Sequence, residues 1–319
     1  MSTNKKVAII GSGLIGRSWA SIFTGFNYRV QLYDVNQEYL VGAPKLIREE
    51  LTYLCENKIA RGSLTLEERM NLISTTNSLE ECLKDTIHIQ ECVFDDLAMK
   101  QDLFQQVDKL LGNNTEVAIC SSTSIHLPSK VFAKVNKHKD QCLVAHPVNP
   151  PLHVRLVELI PCSETRDDIL KRTRETMKEI GQKPVVLKKE VSGFALNRLQ
   201  YAVFQEAFRL VHDGVMTPDD VDTVVSDGLG PRYAFMGPWM TAHLNATGLG
   251  DYFARYSDGI YNVSKDCQPL LRLQGEAAQL IADTMTHEVP IDKLPEKRKW
   301  RDECLTELAK LKDRLGNAS

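Results

Sequence analysis

Long hydrophobic runs are missing from this 319-residue chain: none reaches the roughly 18 apolar residues that a membrane-spanning helix requires. The N-terminal apolar run, Val7-Ala8-Ile9-Ile10, stops after four residues at Gly11, so no secretory signal is expected. An excess of charge of one sign is missing too. Lysine and arginine number 39 against 42 aspartate and glutamate, a formal net charge of −3, which gives no general electrostatic case for nucleic acid or an anionic membrane. The eight cysteines (55, 82, 92, 120, 142, 162, 267 and 304) include no CxxC pair. That excludes a disulfide framework in favour of free thiols in a reducing, cytoplasmic setting, and no metal-ligand spacing is present. Asn-x-Ser/Thr triplets such as Asn262-Val263-Ser264 are then expected to go unused. Internal repeats and low-complexity tracts are absent. At roughly 150 residues per domain the length predicts two domains, and 43% apolar with 25% charged residues is ordinary for a globular chain with a full core.

What the chain does contain is concentrated first in residues 5–34. Val7–Ile10 reads as a buried parallel strand, and Gly11-Ser12-Gly13-Leu14-Ile15-Gly16 follows without a spacer. A helical stretch from Arg17 to about Phe26 leads to a second strand, Arg29–Tyr33, which ends at Asp34. This is the context of a dinucleotide-binding βαβ unit. Gly11 permits the tight turn, Gly13 lets the backbone approach a pyrophosphate, and Gly16 lets helix pack on strand. The amides of the helix N-terminus, at Leu14 and Ile15, then face the anion. Asp34, 18 residues past Gly16, can accept hydrogen bonds from a ribose and would repel a 2′-phosphate. No arginine follows it, so NAD is expected over NADP.

Strand-like runs recur at Thr86–Glu91, Val117–Cys120, Cys142–Ala145, Val157–Ile160 and Val185–Leu187, with helical patterns between most of them. The long region 36–84 reads as charged and helix-prone, with a capping-type start at Thr65-Leu66-Glu67-Glu68. The alternation predicts an α/β fold: a Rossmann-type, doubly wound, mostly parallel sheet over residues 1–189. From 190 to 319 no strand alternation is convincing, and an all-helical substrate-binding or dimerisation domain is expected. Thr217-Pro218-Asp219-Asp220 supplies an N-cap, a first-turn proline and acids suited to the helix dipole. The last helix, about 295–315, carries Trp300, Cys304, Leu308 and Leu311 on one stripe, which predicts packing on its own domain or, alternatively, a subunit interface.

Three further segments bear chemistry: Ser121–Ser124, His146–Pro150 with Glu158 twelve residues past His146, and Gly193–Arg198. In an open α/β sheet, ligands bind outside the carboxyl ends of strands, where Ser124 and His146 fall. Oxidising an alcohol requires removal of its hydroxyl proton as hydride leaves carbon, and a neutral imidazole, with an unperturbed pKa of about 6.5, suits that work. Glu158 is an odd acid inside an apolar strand unless His146 answers it. Structural readings stand beside these: a hydrogen-bonding histidine, a polar loop before Pro128, a satisfied core amide at Asn197.

Together the segments resemble the 3-hydroxyacyl-CoA dehydrogenase superfamily, over nearly the whole chain. The family's S-x-T-S, H-x-x-N-P, L-V-E and G-F-x-x-N-R patterns stand in order as Ser121–Ser124, His146–Pro150, Leu156–Glu158 and Gly193–Arg198. The resemblance implies His146 as base, Glu158 as its partner, Ser124 and Asn197 on the substrate oxygen, and NAD contacts from Asp95, Lys100 and Asn149. It also implies a homodimer through the helical domain. Pro147-Val148 stands where acyl-CoA enzymes carry two aromatics, and Ser122 replaces their asparagine. Segments such as His88-Ile89-Gln90-Glu91-Cys92 and Arg232-Tyr233-Ala234-Phe235 are more similar to members that oxidise the C3 hydroxyl of L-gulonate. A small polar acid is therefore the implied substrate, in a cleft against the helical domain. Arg232 would bind its carboxylate through a guanidinium fork, or else tie down the loop before Gly237-Pro238. A hydroxyacyl-CoA or carnitine-type dehydrogenase, a non-catalytic structural role, and an NAD sensor are the alternatives.

Overall fold

The computed structural model describes residues 5–316. Eight strands form one sheet: β1 (Lys6–Ile10), β2 (Arg29–Tyr33), β3 (Ile73–Thr76), β4 (His88–Glu91), β5 (Ala118–Ser121), β6 (Cys142–Pro147), β7 (Leu156–Pro161) and β8 (Lys183–Val186). Their order is β3-β2-β1-β4-β5-β6-β7-β8, parallel except for the antiparallel β6–β7 pair. The order reverses between β1 and β4, so the crevice for a ligand opens at the carboxyl ends of those strands.

Alternation along β1 shows why the sheet needs a layer on each face. Val7 and Ile9 join a core with Trp19 and Phe23 of α1 (Leu14–Thr24), Ile47 and Leu51 of α2 (Gln37–Glu56), and Met177 of α7 (Asp167–Glu179). Ala8 and Ile10 point the other way, into a core with Ile89, Phe104 and Phe132. Short helices α3 (Leu66–Met70), α4 (Leu79–Leu83) and α6 (Pro128–Val131), with the longer α5 (Leu97–Leu110), complete the layers. Thr65 and Glu68 make the reciprocal capping box their spacing predicts. Strand β3 lies inside the stretch expected to be helical. Its sequence, Ile-Ser-Thr-Thr, is half exposed at the sheet edge and has no apolar periodicity to announce it.

Beyond the sheet the described chain is helical: α8 (Leu196–His212), α9 (Pro218–Thr223), a π-helical turn over Val224–Leu229, α10 (Gly230–Tyr233), α11 (Pro238–Leu244), α12 (Leu249–Asp266), α13 (Glu276–Glu288) and α14 (Leu294–Leu315). Thr217 caps α9 through the Asp220 amide, with Pro218 in its first turn. Two compact units result: Met1–Leu196 with Leu305–Lys310, and Asn197–Cys304 with Leu311–Ser319. The stripe on α14 is not sealed, since Trp300 remains 54% exposed and Thr306 is the buried side chain of that helix. None of the described helices is long and apolar enough to cross a membrane.

A buried ion pair fixes the turn from β4 into α5. Glu91 and Lys100 are 0% and 1% exposed, with Lys100 Nζ 2.7 Å from Glu91 Oε1. The carboxylate also accepts from the Val93 amide and from Ser121 Oγ on the neighbouring strand, and Lys100 donates its second bond to the Val93 carbonyl. Burial pushes the Glu91 carboxyl up, against the pull of Lys100, Ser121 and the Val93 amide. Removing one partner strands the other charge in the core. Lys100→Met should therefore lower the stability of the NAD-free protein by about 3–5 kcal/mol in urea unfolding, and adding Glu91→Gln should restore part of it.

Candidate active site

The nucleotide end is built from backbone. Gly11 has φ +105°, and a Cβ there would stand 2.7 Å from the Cys92 carbonyl. A Cβ on Gly16 would stand 1.9 Å from the Gly11 oxygen, so that helix-to-strand approach requires glycine. Around Gly13, by contrast, a Cβ would meet nothing within 4 Å, leaving room beside the loop. Helix α1 has no side-chain cap and no acid in its first turn. Its leading amides, at Leu14 and Ile15, thus suit an anion. Asp34, half-buried at the end of β2, accepts from Ser12 N at 2.7 Å and Ser12 Oγ at 2.8 Å on Oδ2, and from Asn36 N on Oδ1. That holds its carboxylate beside the glycine loop, as a ribose would need. Space, donors and acid all fit NAD.

The chemical end rests on the β6–β7 pair. His146 and Glu158 sit directly across from each other in its register. Nδ1 of the ring lies 2.9 Å from Glu158 Oε2, with the residues 6% and 0% exposed. The other oxygen, Oε1, accepts from the amides of Ala195 and Leu196 at 2.8 and 2.9 Å, where the chain enters α8. Burial acts to raise the Glu158 pKa, but the His146 ring and the two amides outweigh it and hold the carboxyl below its usual range. An ionised Glu158 requires the proton on Nδ1, which leaves the lone pair on Nε2. That is the tautomer a general base needs.

The neighbouring groups divide by environment. Asp95 takes Thr123 Oγ1 at 2.6 Å on one oxygen and both the amide and the hydroxyl of Ser124 on the other. Burial alone would raise its pKa, yet these bonds and Lys100 hold it below the ordinary carboxylate value. Asp95 therefore shapes the loop that carries Ser124. The ammonium of Lys100 is taken up by Glu91, by the Val93 carbonyl and, at 3.7 Å, by Asp95. Asn149 is exposed just past β6, and Arg61 donates to the Pro151 and Leu152 carbonyls of the same turn. Asn197 is buried in the first turn of α8, immediately after the two amides on Glu158. Arg232 is exposed on α10 and reaches the Gly228 carbonyl at 3.3 Å. Among the described residues no group of three or more His, Cys, Asp or Glu side chains could hold a metal.

Sequence reasoning missed Ser12 as the holder of Asp34, and the Glu91–Lys100 pair beneath Asp95. A signal for the pair existed, an acid closing a strand with a lysine one helical turn into the next element. It missed as well a polar line inside β4. His88 and Gln90 alternate within a strand whose residues are all buried, a pattern at odds with an ordinary core strand.

Residues 6–191 match the profile of the 3-hydroxyacyl-CoA dehydrogenase NAD binding domain, and residues 193–281 that of the 3-hydroxyacyl-CoA dehydrogenase C-terminal domain. Lambda-crystallin of Oryctolagus cuniculus is 46% identical over 97% of both chains, and the lambda-crystallin homolog of Homo sapiens is equally similar. The L-carnitine dehydrogenase of Oceanobacillus iheyensis is 34% identical over 77% of this chain and 78% of its own. Among solved structures, the 5-formyl-3-hydroxy-2-methylpyridine 4-carboxylic acid 5-dehydrogenase, an NAD+-dependent dismutase, superposes with a TM-score of 0.76 at 26% identity, covering 96% of this chain and 97% of that one. With both halves matched in order, the chain belongs to the 3-hydroxyacyl-CoA dehydrogenase family of NAD-dependent oxidoreductases.

Proposed function

We propose that this chain oxidises the C3 hydroxyl of L-gulonate to 3-dehydro-L-gulonate, with His146 as the general base. The observation that carries the chemistry is the buried His146–Glu158 pair, in which the carboxylate fixes the ring by Nδ1 and leaves Nε2 basic. The substrate class rests on the resemblance of the His88–Cys92 and Arg232–Phe235 segments, and on an identity to lambda-crystallins above that to L-carnitine dehydrogenase.

In the forward direction His146 Nε2 takes the proton of the C3 hydroxyl, and the carbon–oxygen bond becomes a carbonyl as hydride leaves C3. NAD, when bound in the β1–β4 crevice, supplies the hydride acceptor. Glu158 stabilises the imidazolium that forms, and its fixed position requires no rearrangement at that moment. Ser124 and Asn197 are assigned to the substrate oxygen, and Arg232 to the carboxylate through its guanidinium fork. Asp95 and Lys100 hold the loop beside the cofactor, with Asn149 on the nicotinamide side. The helical unit leaves Tyr256, Ile260, Tyr261 and Val263 of α12 exposed, which supports a homodimer formed through it.

The deciding assay follows NADH formation with L-gulonate, 3-hydroxybutyryl-CoA, carnitine and free 3-hydroxybutyrate. L-gulonate should lead in kcat/KM, and a lead for the CoA ester would overturn the substrate assignment. His146→Ala should lower kcat by about 10²–10⁴ with NAD affinity unchanged, the range for a positioned base. Full activity in that variant would refute the mechanism.

Glu158 has its own signature. Its folded pKa lies below the ordinary value, so its contribution to stability is complete above that value and is lost as pH falls through the folded pKa. Acid unfolding of the native protein should show this loss, and Glu158→Gln should remove it. Arg232→Met should raise KM for L-gulonate by about 10- to 100-fold, the equivalent of a charged hydrogen bond, with little change in kcat. An unchanged KM assigns Arg232 to the loop and its Gly228 bond.

A further inference from the structure

Strand β4 carries two polar side chains where an apolar pair would serve the core. His88 and Gln90 are 2% and 0% exposed and share one face of the strand. Gln90 Nε2 lies 2.7 Å from Ser122 Oγ and 3.3 Å from the Ala145 carbonyl. Both amide hydrogens are thereby used, so Gln90 Oε1 accepts, and the atom facing it at 3.0 Å, His88 Nε2, must donate. The ring then accepts at Nδ1, where the Cys120 thiol stands at 4.0 Å. At the far end Ser122 Oγ lies 3.3 Å from Cys92 Sγ, whose own hydrogen points to the Gln90 carbonyl at 3.8 Å. Every donor along this line has an acceptor, and the line admits one direction: Cys120 to His88, His88 to Gln90, Gln90 to Ser122 and Ala145. Burial pushes the His88 imidazole down to about 4, so the ring is neutral at physiological pH and the direction persists.

The two ends of the Gln90 amide are what give it a role. Strand β5 ends at Ser121, and its last rung with β6 pairs Ser121 with Val144. The next carbonyl of β6 belongs to Ala145, in the peptide that carries His146. Gln90 supplies a donor to this carbonyl beyond the end of β5. Its other hydrogen holds Ser122, two residues before Ser124, in the loop that continues β5. One planar amide thus joins the strand bearing the base to the loop bearing the substrate-oxygen ligand.

We infer that Gln90, with its amide oriented by His88, is a positioning residue that sets the separation of the His146 peptide from the Ser122–Ser124 loop. The inference rests on the assignment of His146 as base. Without the amide, the loop and the strand end are joined through β-sheet rungs that stop one residue short. A shift of about 1 Å in such a geometry can cost up to about 10²-fold in rate.

The test is a double-mutant cycle between Gln90→Met and His146→Ala in the full chain, read as kcat and as NADH affinity. Gln90→Met should lower kcat by about 10- to 100-fold and leave NADH affinity within about twofold. In the His146→Ala background the same substitution should cost nothing more, because the group it positions is gone. Ser122→Ala, which removes one arm and little volume, should give a smaller loss of the same kind. A Gln90→Met loss of equal size in both backgrounds would mean a general structural role and overturn the inference. So would a large loss in His146→Ala with none in Gln90→Met, which leaves the proposed function standing. Full activity in His146→Ala overturns both. A readout independent of substrate comes from 15N-histidine labelling of the NADH complex. The His146 ring signals, assigned by their absence in His146→Ala, should move in Gln90→Met, and identical signals would sink the inference.

Discussion

A carboxylate with no solvent exposure is the constraint around which the reacting end of this molecule is arranged. Left alone, the Glu158 charge would carry a desolvation penalty of several kcal/mol. Three donors answer it, the His146 ring and the amides of Ala195 and Leu196. Hydrogen bonds to a charged group are worth about 1.5–3 kcal/mol each, so three of them are of the size needed. The donors come from two places: the facing strand for the ring, the entry to α8 for the amides. Satisfying one charge therefore fixes the orientation of the His146 ring and the backbone at Ala195 and Leu196 together.

The same solution recurs three strands away. Glu91 ends β4 as another buried acid, answered by Lys100, Ser121 and the Val93 amide. From there the connection runs through Asp95 to Ser124. Buried charges in strands would be a poor choice if stability were the sole requirement, since apolar replacements of similar volume often serve as well. Their value lies in geometry. A charge with three fixed donors has one low-energy position, whereas an apolar side chain of equal volume has several.

Legibility in the sequence followed the kind of atom that does the work. The nucleotide end is a backbone device, and only glycine permits the Gly11 turn and the Gly16 approach, so its pattern is visible as letters in a row. The doubly wound sheet was legible for a related reason, because buried strands are short apolar runs. Strand β3 was not, since an edge strand of Ile-Ser-Thr-Thr lacks that run. The π-helical turn at 224–229 has no local signal at all. At the site, His146 and Glu158 were legible through the family pattern and through the oddity of an acid in an apolar strand. Ser12, His88 and Gln90 were not. Their importance comes from partners 22, 32 and 55 residues away, and a polar letter in a strand does not name its partner.

The same difference separates the two ends of the site. The loop, helix end and carboxylate that fit NAD lie within residues 11–34, in a single βαβ unit. The proposed substrate contacts are distributed over β5, α8 and α10, in segments separated by up to about a hundred residues of chain. Their chemical meaning depends on distances that no spacing rule supplies. Arg232 shows the point in one residue. Its guanidinium has five donors and one of them meets the Gly228 carbonyl. The remaining donors can serve a carboxylate without breaking that bond, so the loop and the substrate need not compete for it.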